Sequence, residues 1–152
     1  LCSLASPACA VFFNFAITIA MFPSIAVHLV SEQECTSSSR IFNDLFVPLL
    51  LIIFNAGDLI GRAVAGSFSP EWLSAKNIWM VSVARVIFVP IFLTSNVRNN
   101  ALPVLFPSDI ETVTTMVMLG VTNGFVASKA MMLGPTLVTK DQAPVAGTIM
   151  VC

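Results

Sequence analysis

Long apolar stretches alternate with short polar segments along most of the chain. About twenty apolar residues in a helix, each rising about 1.5 Å, cross the roughly 30 Å hydrocarbon core of a bilayer. These stretches lack the strict apolar–polar alternation of barrel strands, so they indicate helices. The pattern predicts an all-α integral membrane protein with four spanning helices and a truncated fifth, at approximately 8–30, 46–67, 78–97, 112–133 and 143–152.

The second predicted span contains charged residues. Only thirteen uncharged residues, Leu45–Gly57, precede Asp58, and thirteen are too few to cross a bilayer. This helix must therefore carry Asp58, and with it Arg62, into the membrane. Each charge costs about 2.5–3.5 kcal/mol at the centre of a membrane helix, which makes the two residues a candidate functional site.

Composition agrees with the membrane assignment. Hydrophobic residues make up 57% of the chain and charged residues 10%, with a mean hydropathy of +0.92. Soluble domains carry about 25% charged residues, so a soluble enzyme and a DNA-binding protein are both excluded. The net charge of −1 provides no basic surface for nucleic acid. The four cysteines show no CxxC or Cys/His spacing, and we predict no metal and no cofactor.

The last apolar run, Ala143–Cys152, has ten residues and would rise about 15 Å, half of the hydrocarbon core. We therefore expect residues 1–152 to be a fragment of a larger protein that forms a single membrane domain. Orientation stays open, because Arg40 and Arg98 on one side balance Lys76 and Lys140 on the other.

Asp58 and Arg62 are spaced i,i+4, so they lie on one face of the helix and can form an ion pair. Asn55 and Leu51 extend the same face. A carboxylate accepts hydrogen bonds from hydroxyls and a guanidinium donates in a fixed fork, which suits a neutral polyhydroxyl or amide-bearing solute. A structural ion pair, or an Arg62 that extends to the interface, is the alternative. Glu32 and Asp109 are expected in solvated loops.

Two further features concern helix packing. Small residues recur every four positions in the second span (Gly57, Gly61, Ala65) and in the fourth (Gly120, Gly124, Ser128), which favours close helix packing. Asn123 lies beside the second row, where it could line a cavity or bond across helices. Arg85, in the middle of the third span, needs a carboxylate or carbonyl partner.

Five segments resemble motifs of the equilibrative nucleoside transporter family. The segment 54–62, FNAGDLIGR, resembles the FNxxDWLGR motif of that family. In the order of the family's motifs, the others are TIAMFP at 18–23, ARVIFVP at 84–90, TNGFVAS at 122–128 and AGTIM at 146–150. The chain departs from the motifs at Leu59, where the family has Trp, at Thr122, where it has Ser, and at Lys129, where it has an apolar residue.

The resemblance implies a fold and a set of partners. The chain would be helices seven to ten and the start of eleven, a partial C-terminal bundle of a major-facilitator-like transporter with 6+5 helices. Segments Ser31–Arg40 and Arg98–Glu111 would then be extracytoplasmic. The partners would be a nucleoside substrate, the bilayer of the plasma membrane or an intracellular membrane, and the N-terminal helices of the same protein.

The resemblance also implies residue roles. Asp58 and Arg62 would contact the ribose hydroxyls during alternating access, with Asn55 in the same motif. Leu51 would contact the base. Phe22 and Pro23 would lie beside the extracellular gate, with Asn123 as a further cavity candidate.

Three hypotheses compete with a facilitative transporter. A proton-coupled carrier of another small polar solute would use Asp58 as the titrating group, but no second carboxylate lies within the spans to relay the proton. An intramembrane aspartyl protease needs two aspartates that share a proton, and the predicted spans contain only Asp58. A non-transporting interaction module rests on the small-residue rows alone and leaves Asp58 and Arg62 unexplained.

Overall fold

The computed structural model describes residues 5–22, 24–34, 36–68, 73–74, 77–98, 103–139 and 141–151. Its six α-helices are α1 (Ala5–Met21), α2 (Phe46–Ser67), α3 (Ile78–Ala84), α4 (Phe88–Leu93), α5 (Asp109–Leu133) and α6 (Ala143–Val151). Short 3-10 segments lie at Ala26–His28, Arg40–Phe42, Arg85–Ile87 and Gly134–Leu137. Over the described ranges, the only extended pairing consists of two isolated bridges, Leu29 with Val97 and Ser95 with Phe106.

Within the described part of the chain, three helical segments are long and apolar enough to cross a membrane: Ala5–His28, Phe46–Ser67 and Asp109–Leu137. The structure thus confirms the predicted all-α membrane class. The first span was predicted at 8–30, whereas α1 begins at Ala5 and ends at Met21 before a turn and a 3-10 segment. The fourth was predicted at 112–133, and α5 begins three residues earlier at Asp109.

The third predicted span, 78–97, is shorter and broken in the structure. Helical residues run only over Ile78–Leu93, about 24 Å of rise. A 3-10 segment at Arg85–Ile87 separates α3 from α4. Pro90 lacks the N–H that would bond to the carbonyl of Val86, so a regular α-helix cannot continue unchanged through this point. After Leu93 the chain leaves the helix, and Ser95 and Val97 form the bridges instead.

Helices α2 and α5 approach each other closely through glycine. A Cβ atom added to Gly61 would lie 2.8 Å from the backbone nitrogen of Phe125, and one added to Gly57 would lie 3.1 Å from the carbonyl oxygen of Val117. On α5, a Cβ added to Gly124 would lie 2.9 Å from the backbone nitrogen of Arg62. Both small-residue rows therefore face each other and serve packing within the chain, as predicted.

The apolar core lies on both sides of this contact. One cluster joins α1, α2, α4 and α5 near one end of the bundle: Ile17, Met21, Phe46, Leu50, Phe54, Phe88, Phe92, Met116 and Leu119. A second cluster, Ala10, Leu73, Ile78, Val126 and Ala130, packs α1 against α3 and α5. The buried polar side chains of Asn14, Thr18, Arg85 and Asn123 lie between the two clusters, so the core surrounds the candidate site.

Candidate functional site

Asp58 and Arg62 form the ion pair that their spacing predicts. Arg62 Nε donates to Asp58 Oδ2 at 2.7 Å. The two side chains differ in exposure, since 46% of the Arg62 side chain is accessible and 17% of that of Asp58. The carboxylate therefore lies toward α5, while the guanidinium extends to the outer face of α2. Nε makes this bond, and the terminal N–H groups of Arg62 have no hydrogen-bond partner among the described residues.

Asn55 and Leu51 lie one and two turns before Asp58 on α2. Asn55 is exposed, and its Nδ2 donates to the carbonyl oxygen of Leu51 at 2.7 Å. The Leu51 side chain is half-buried. We call the predicted polar face of α2 the stripe: Leu51, Asn55, Asp58 and Arg62. All four residues lie on this helix, and Asn55 is hydrogen-bonded to the backbone of the preceding turn.

Asn123 connects α5 to this stripe. Its Nδ2 donates to Asp58 Oδ1 at 2.6 Å, across the glycine contact between α2 and α5. Of the two possibilities left open for Asn123, bonding across helices is therefore what the structure shows. The close approach at Gly120 and Gly124 makes this possible, because a short amide side chain reaches a carboxylate only when the two backbones are near each other.

Sequence reasoning missed Asn14 and Thr18 of α1 as members of the site. Asn14 Nδ2 donates to Asn123 Oδ1 at 2.9 Å, and Thr18 Oγ1 lies 2.7 Å from the same oxygen. Both side chains are buried. The signal that could have found them is their four-residue spacing in an otherwise apolar span, the same spacing as that of Asp58 and Arg62.

Arg85 completes the set from the break between α3 and α4. Its Nη1 donates to the carbonyl oxygen of Asn14 at 3.1 Å and also to Asn14 Oδ1, and its Nη2 donates to the carbonyl oxygen of Leu119 at 3.2 Å. The expected carbonyl partners are therefore present. We call the connected side chains the interior network: Arg62, Asp58, Asn123, Asn14, Thr18 and Arg85.

Phe22, predicted beside a gate, follows the last residue of α1. Its ring stacks on that of Phe54 of α2, with 4.3 Å between the ring centroids and 21° between the planes. Phe54 lies one turn before Asp58, so the end of α1 contacts the helix that carries the stripe. Pro23 lies outside the described residues.

The loops at one end of the bundle hold a second set of polar contacts. We call it the loop cluster: Ser31, Glu34, Arg40, Asp44, Arg98 and Asp109. Ser31 Oγ donates to Asp109 Oδ2 at 2.6 Å, and the Glu32 backbone N–H donates to Asp109 Oδ1 at 2.9 Å. The expectation that Asp109 belongs to a solvated loop is therefore wrong, because it begins α5 and ties that helix to the segment after α1.

Ion pairs join the other members of the loop cluster. Arg98 Nη2 lies 2.5 Å from Glu34 Oε1, and Arg40 Nη2 lies 2.7 Å from Asp44 Oδ2. The hydrogen bond from Arg40 holds the pKa of the exposed Asp44 carboxyl below its usual value. A cavity of about 500 Å³ lies here, lined among others by His28, Glu34 and Arg98. It is separate from the Asp58 stripe.

The structure also bears on a protease and on a metal site. The hydrogen-bond partners of Asp58 within the described ranges are Arg62 and Asn123, rather than a second carboxylate. An aspartyl protease needs such a carboxylate to share a proton. The described part of the chain brings no three His, Cys, Asp or Glu side chains together in a way that could hold a metal ion.

Comparison with known proteins identifies relatives. Equilibrative nucleoside transporter 3 of Rattus norvegicus is 33% identical over 145 residues, which cover 93% of this chain and 30% of that protein. Equilibrative nucleoside transporter 1 of Homo sapiens is 33% identical over 142 residues, covering 91% and 30%. Nucleoside transporter 1.2 of Leishmania donovani is 35% identical over 154 residues, covering 94% and 27%.

These relatives are transporters rather than enzymes, and the chain spans about 30% of their length. A family described as "Nucleoside transporter" matches residues 1–152, which confirms the resemblance that the five motifs indicate. Because this match covers the whole chain, the chain belongs to the nucleoside transporter family.

Proposed function

We propose that this chain forms part of a transporter that moves nucleosides across a membrane by alternating access. The relatives are named as nucleoside transporters and are about three times as long as this chain. The proposal therefore concerns the full-length protein, in which further helices complete the path. Each uptake experiment below uses that protein.

Asp58 and Arg62 are proposed to hold the sugar of the nucleoside. Ribose is neutral and presents hydroxyl groups, each of which can donate and accept a hydrogen bond. Asp58 accepts from a hydroxyl through the lone pairs that Arg62 and Asn123 leave unused. Arg62 donates through its terminal N–H groups. Leu51 and Asn55 would line the same path toward the base, and Phe22 and Pro23 would lie at its gate.

The observation that carries the proposal is the half-exposed ion pair on a membrane helix. Arg62 is 46% accessible, although a charged side chain on a membrane helix is costly unless it meets a partner or a water-filled cavity. A purely structural pair would be buried between helices on both sides. One side of the pair is bonded to α5, and the exposure of the other side supports a role in binding a solute.

Uptake of a labelled nucleoside, with Asp58→Asn compared to Glu32→Gln, tests the proposal. Glu32 is exposed, so its change should leave uptake near that of the parent. Asp58→Asn should lower uptake at least about tenfold, as expected when a hydrogen bond to a charged group is lost. Equal losses in both variants at equal surface expression would contradict the site. Uptake that requires a proton gradient would support the proton-coupled alternative.

A further inference from the structure

Asn123 and Arg85 do not face the open side of the stripe, yet hydrogen bonds connect both to Asp58. The connection runs from Arg85 to Asn14, from Asn14 to Asn123, and from Asn123 to Asp58. We propose that Asn123 and Arg85 are positioning residues that fix the orientation of the Asp58 carboxylate. This inference rests on the proposed function, because the orientation matters only if Asp58 binds the solute.

These hydrogen bonds form a series from Arg85 to Asp58. The groups at the two ends of the series determine the direction of every bond in it. A guanidinium can only donate, and an ionised carboxylate can only accept. Asn14 must therefore turn its Oδ1 to Arg85, which directs its Nδ2 toward Asn123. Asn123 must receive that bond on Oδ1, so its own Nδ2 points at Asp58.

Two further donors hold the Asn123 amide in this orientation. Thr18 Oγ1 lies 2.7 Å from Asn123 Oδ1, and Arg85 Nη1 lies 3.4 Å from it. If the amide turned over, its NH₂ group would meet the N–H groups of Asn14 and Arg85 on one side, and its oxygen would meet the Asp58 carboxylate on the other. Both contacts would be unfavourable, so the amide has one orientation.

Burial strengthens these bonds. Asn14 is fully buried, and Asn123 and Arg85 are each 3% exposed, so water does not compete at the inner end of the chain. Arg85 Nε is buried with no hydrogen-bond partner among the described residues. If Arg85 only filled space, an apolar side chain of similar volume would make the folded protein at least as stable, because burying a charge is unfavourable. Its guanidinium can only donate, which sets the direction of these hydrogen bonds, and its fork holds Asn14 and the carbonyl oxygen of Leu119 at the same time, which the ammonium of a lysine does not.

The consequence for Asp58 is that its two oxygens have different partners. Oδ1 is held by Asn123 from α5, and Oδ2 is held by Arg62 from the same helix. The plane of the carboxylate is thereby fixed relative to α2, and the remaining lone pairs point in a constant direction. A solute hydroxyl then meets an acceptor that is already oriented, which lowers the entropic cost of binding.

Asn123→Asp tests whether the donor–acceptor direction of these hydrogen bonds matters. The new carboxylate cannot donate to Asp58, and two facing carboxylates keep a hydrogen bond only while they share a proton. The other charged groups facing this pair are Arg62 from α2 and Arg85 from the α3–α4 break. The described part of α1 faces it with Asn14 and Thr18, which do not titrate.

Uptake per transporter at the cell surface should therefore become dependent on pH in this variant. We expect a fall of about tenfold from mildly acidic to mildly alkaline pH, against a flat profile for the parent. Thr122→Val is the matched control, since Thr122 lies on the same helix and its hydroxyl bonds, among the described residues, to carbonyl oxygens of its own helix. Asp58→Asn combined with Asn123→Asp should show low uptake without the pH dependence.

Arg85→Lys provides a second measurement if Asn123→Asp does not reach the surface. Lysine keeps the charge but loses the fork, so the chain of bonds loosens. The ratio of uptake of a ribonucleoside to that of its deoxy analogues should fall by about tenfold, as for a lost hydrogen bond to a charged group. A residue that only supports folding would lower the amount of transporter and leave this ratio unchanged.

The outcomes separate the two proposals. If the parent takes up no nucleoside, the proposed function is wrong and the positioning role falls with it. If the parent takes up nucleosides but Asn123→Asp follows its pH profile, or Arg85→Lys keeps its ratio, the positioning role is wrong and the proposed function stands.

Discussion

Two polar regions of the molecule contain the same kinds of side chain in opposite surroundings. In the interior network, Asn14, Asn123 and Arg85 are buried and bonded across α1, α5 and the α3–α4 break. In the loop cluster, the pair of Arg40 and Asp44 is exposed and spaced four residues apart on one segment. Both regions contain arginine–carboxylate pairs at similar distances, so distance alone does not distinguish them.

The two regions differ in whether water can replace a hydrogen bond that is lost. In the loop cluster water takes the place of a missing partner, so an exposed ion pair contributes little. Around the buried members of the interior network, Asn14, Asn123 and Arg85, water has little access, and an unpaired buried group costs about 1–3 kcal/mol. Variants in the interior network should therefore affect the protein more strongly than matched variants in the loop cluster.

The largest effect is expected from Gly124→Ala, which separates the two helices that hold the interior network together. The new Cβ would lie 2.9 Å from the backbone nitrogen of Arg62 and closer still to the carbonyl oxygen of Asp58. Backbone atoms cannot rotate away, so the helices must move apart at a cost of about 1–3 kcal/mol, and the bond from Asn123 to Asp58 must lengthen. Uptake and the midpoint of thermal unfolding should both fall.

Gly66→Ala is the matched control for this substitution. Gly66 also lies on α2, but a Cβ added there meets nothing within 4 Å. Alanine has the higher helix propensity, so stability should stay unchanged or rise slightly. A similar loss of stability in both variants would show that glycine flexibility, rather than close packing, is what matters.

Arg62→Ala should have the next largest effect, because it leaves Asp58 with Asn123 as its remaining partner among the described residues. We expect less protein at the surface and about tenfold lower uptake per molecule. Arg62→Lys keeps the charge but loses the fork, so it should fold better and still bind poorly. Combining Asp58→Asn with Arg62→Gln removes both charges and should recover expression without uptake.

Surface labelling and uptake of these three variants, measured together with the parent, check this order. Transport by Arg62→Ala at the parent's rate would mean that Arg62 only extends toward the interface. In that case only Asp58 would belong to the site.

Asp109→Ala should have a moderate effect, since Asp109 is the best-connected member of the loop cluster. The variant loses the hydrogen bonds that Ser31 Oγ and the backbone N–H of Glu32 donate to Asp109. The two bonds are partly exposed, so we expect a destabilisation of about 1 kcal/mol, measured as the midpoint of thermal unfolding. Glu111→Gln, an exposed position in the same turn of α5, is the control and should change the midpoint less.

The smallest effect is expected from Arg40→Gln, and it should depend on pH. The hydrogen bond from Arg40 lowers the pKa of Asp44 in the folded protein. A lowered folded-state pKa stabilises the protein above the unfolded-state value, and this contribution is lost as the pH falls through the folded-state pKa. At neutral pH the midpoint of thermal unfolding of the variant should therefore be slightly lower than that of the parent. In acid the two midpoints should be equal. A gap that persists in acid would contradict this origin.

The helical class and the stripe on α2 could be predicted because both depend on local spacing. Asp58 and Arg62 are four residues apart on a single helix, so their pairing follows from helix geometry. Asn14 was missed because its partners, Asn123 and Arg85, come from distant parts of the chain. A lone asparagine in an apolar span carries no local sign of which helix it will meet.

Asp109 was misplaced for a related reason. Its position after Pro107 and Ser108 reads as a loop, whereas the structure begins α5 there and packs it against the segment that follows α1. The break at Arg85 arises where Pro90 interrupts the backbone bonding, and the sequence shows the proline but not how the chain accommodates it.

The pairing of Asp58 with Arg62 on one helix also matters during biosynthesis. Asn123 lies 65 residues after Asp58, so at about 5–20 residues per second the ribosome needs roughly 3–13 seconds to reach it. During that interval α2 can enter the bilayer without its α5 partner. A nascent helix that already contains both the acid and its neutralising base partitions into lipid more readily than one with a lone charge. The salt bridge thus stabilises α2 in the membrane before α5 has been synthesised.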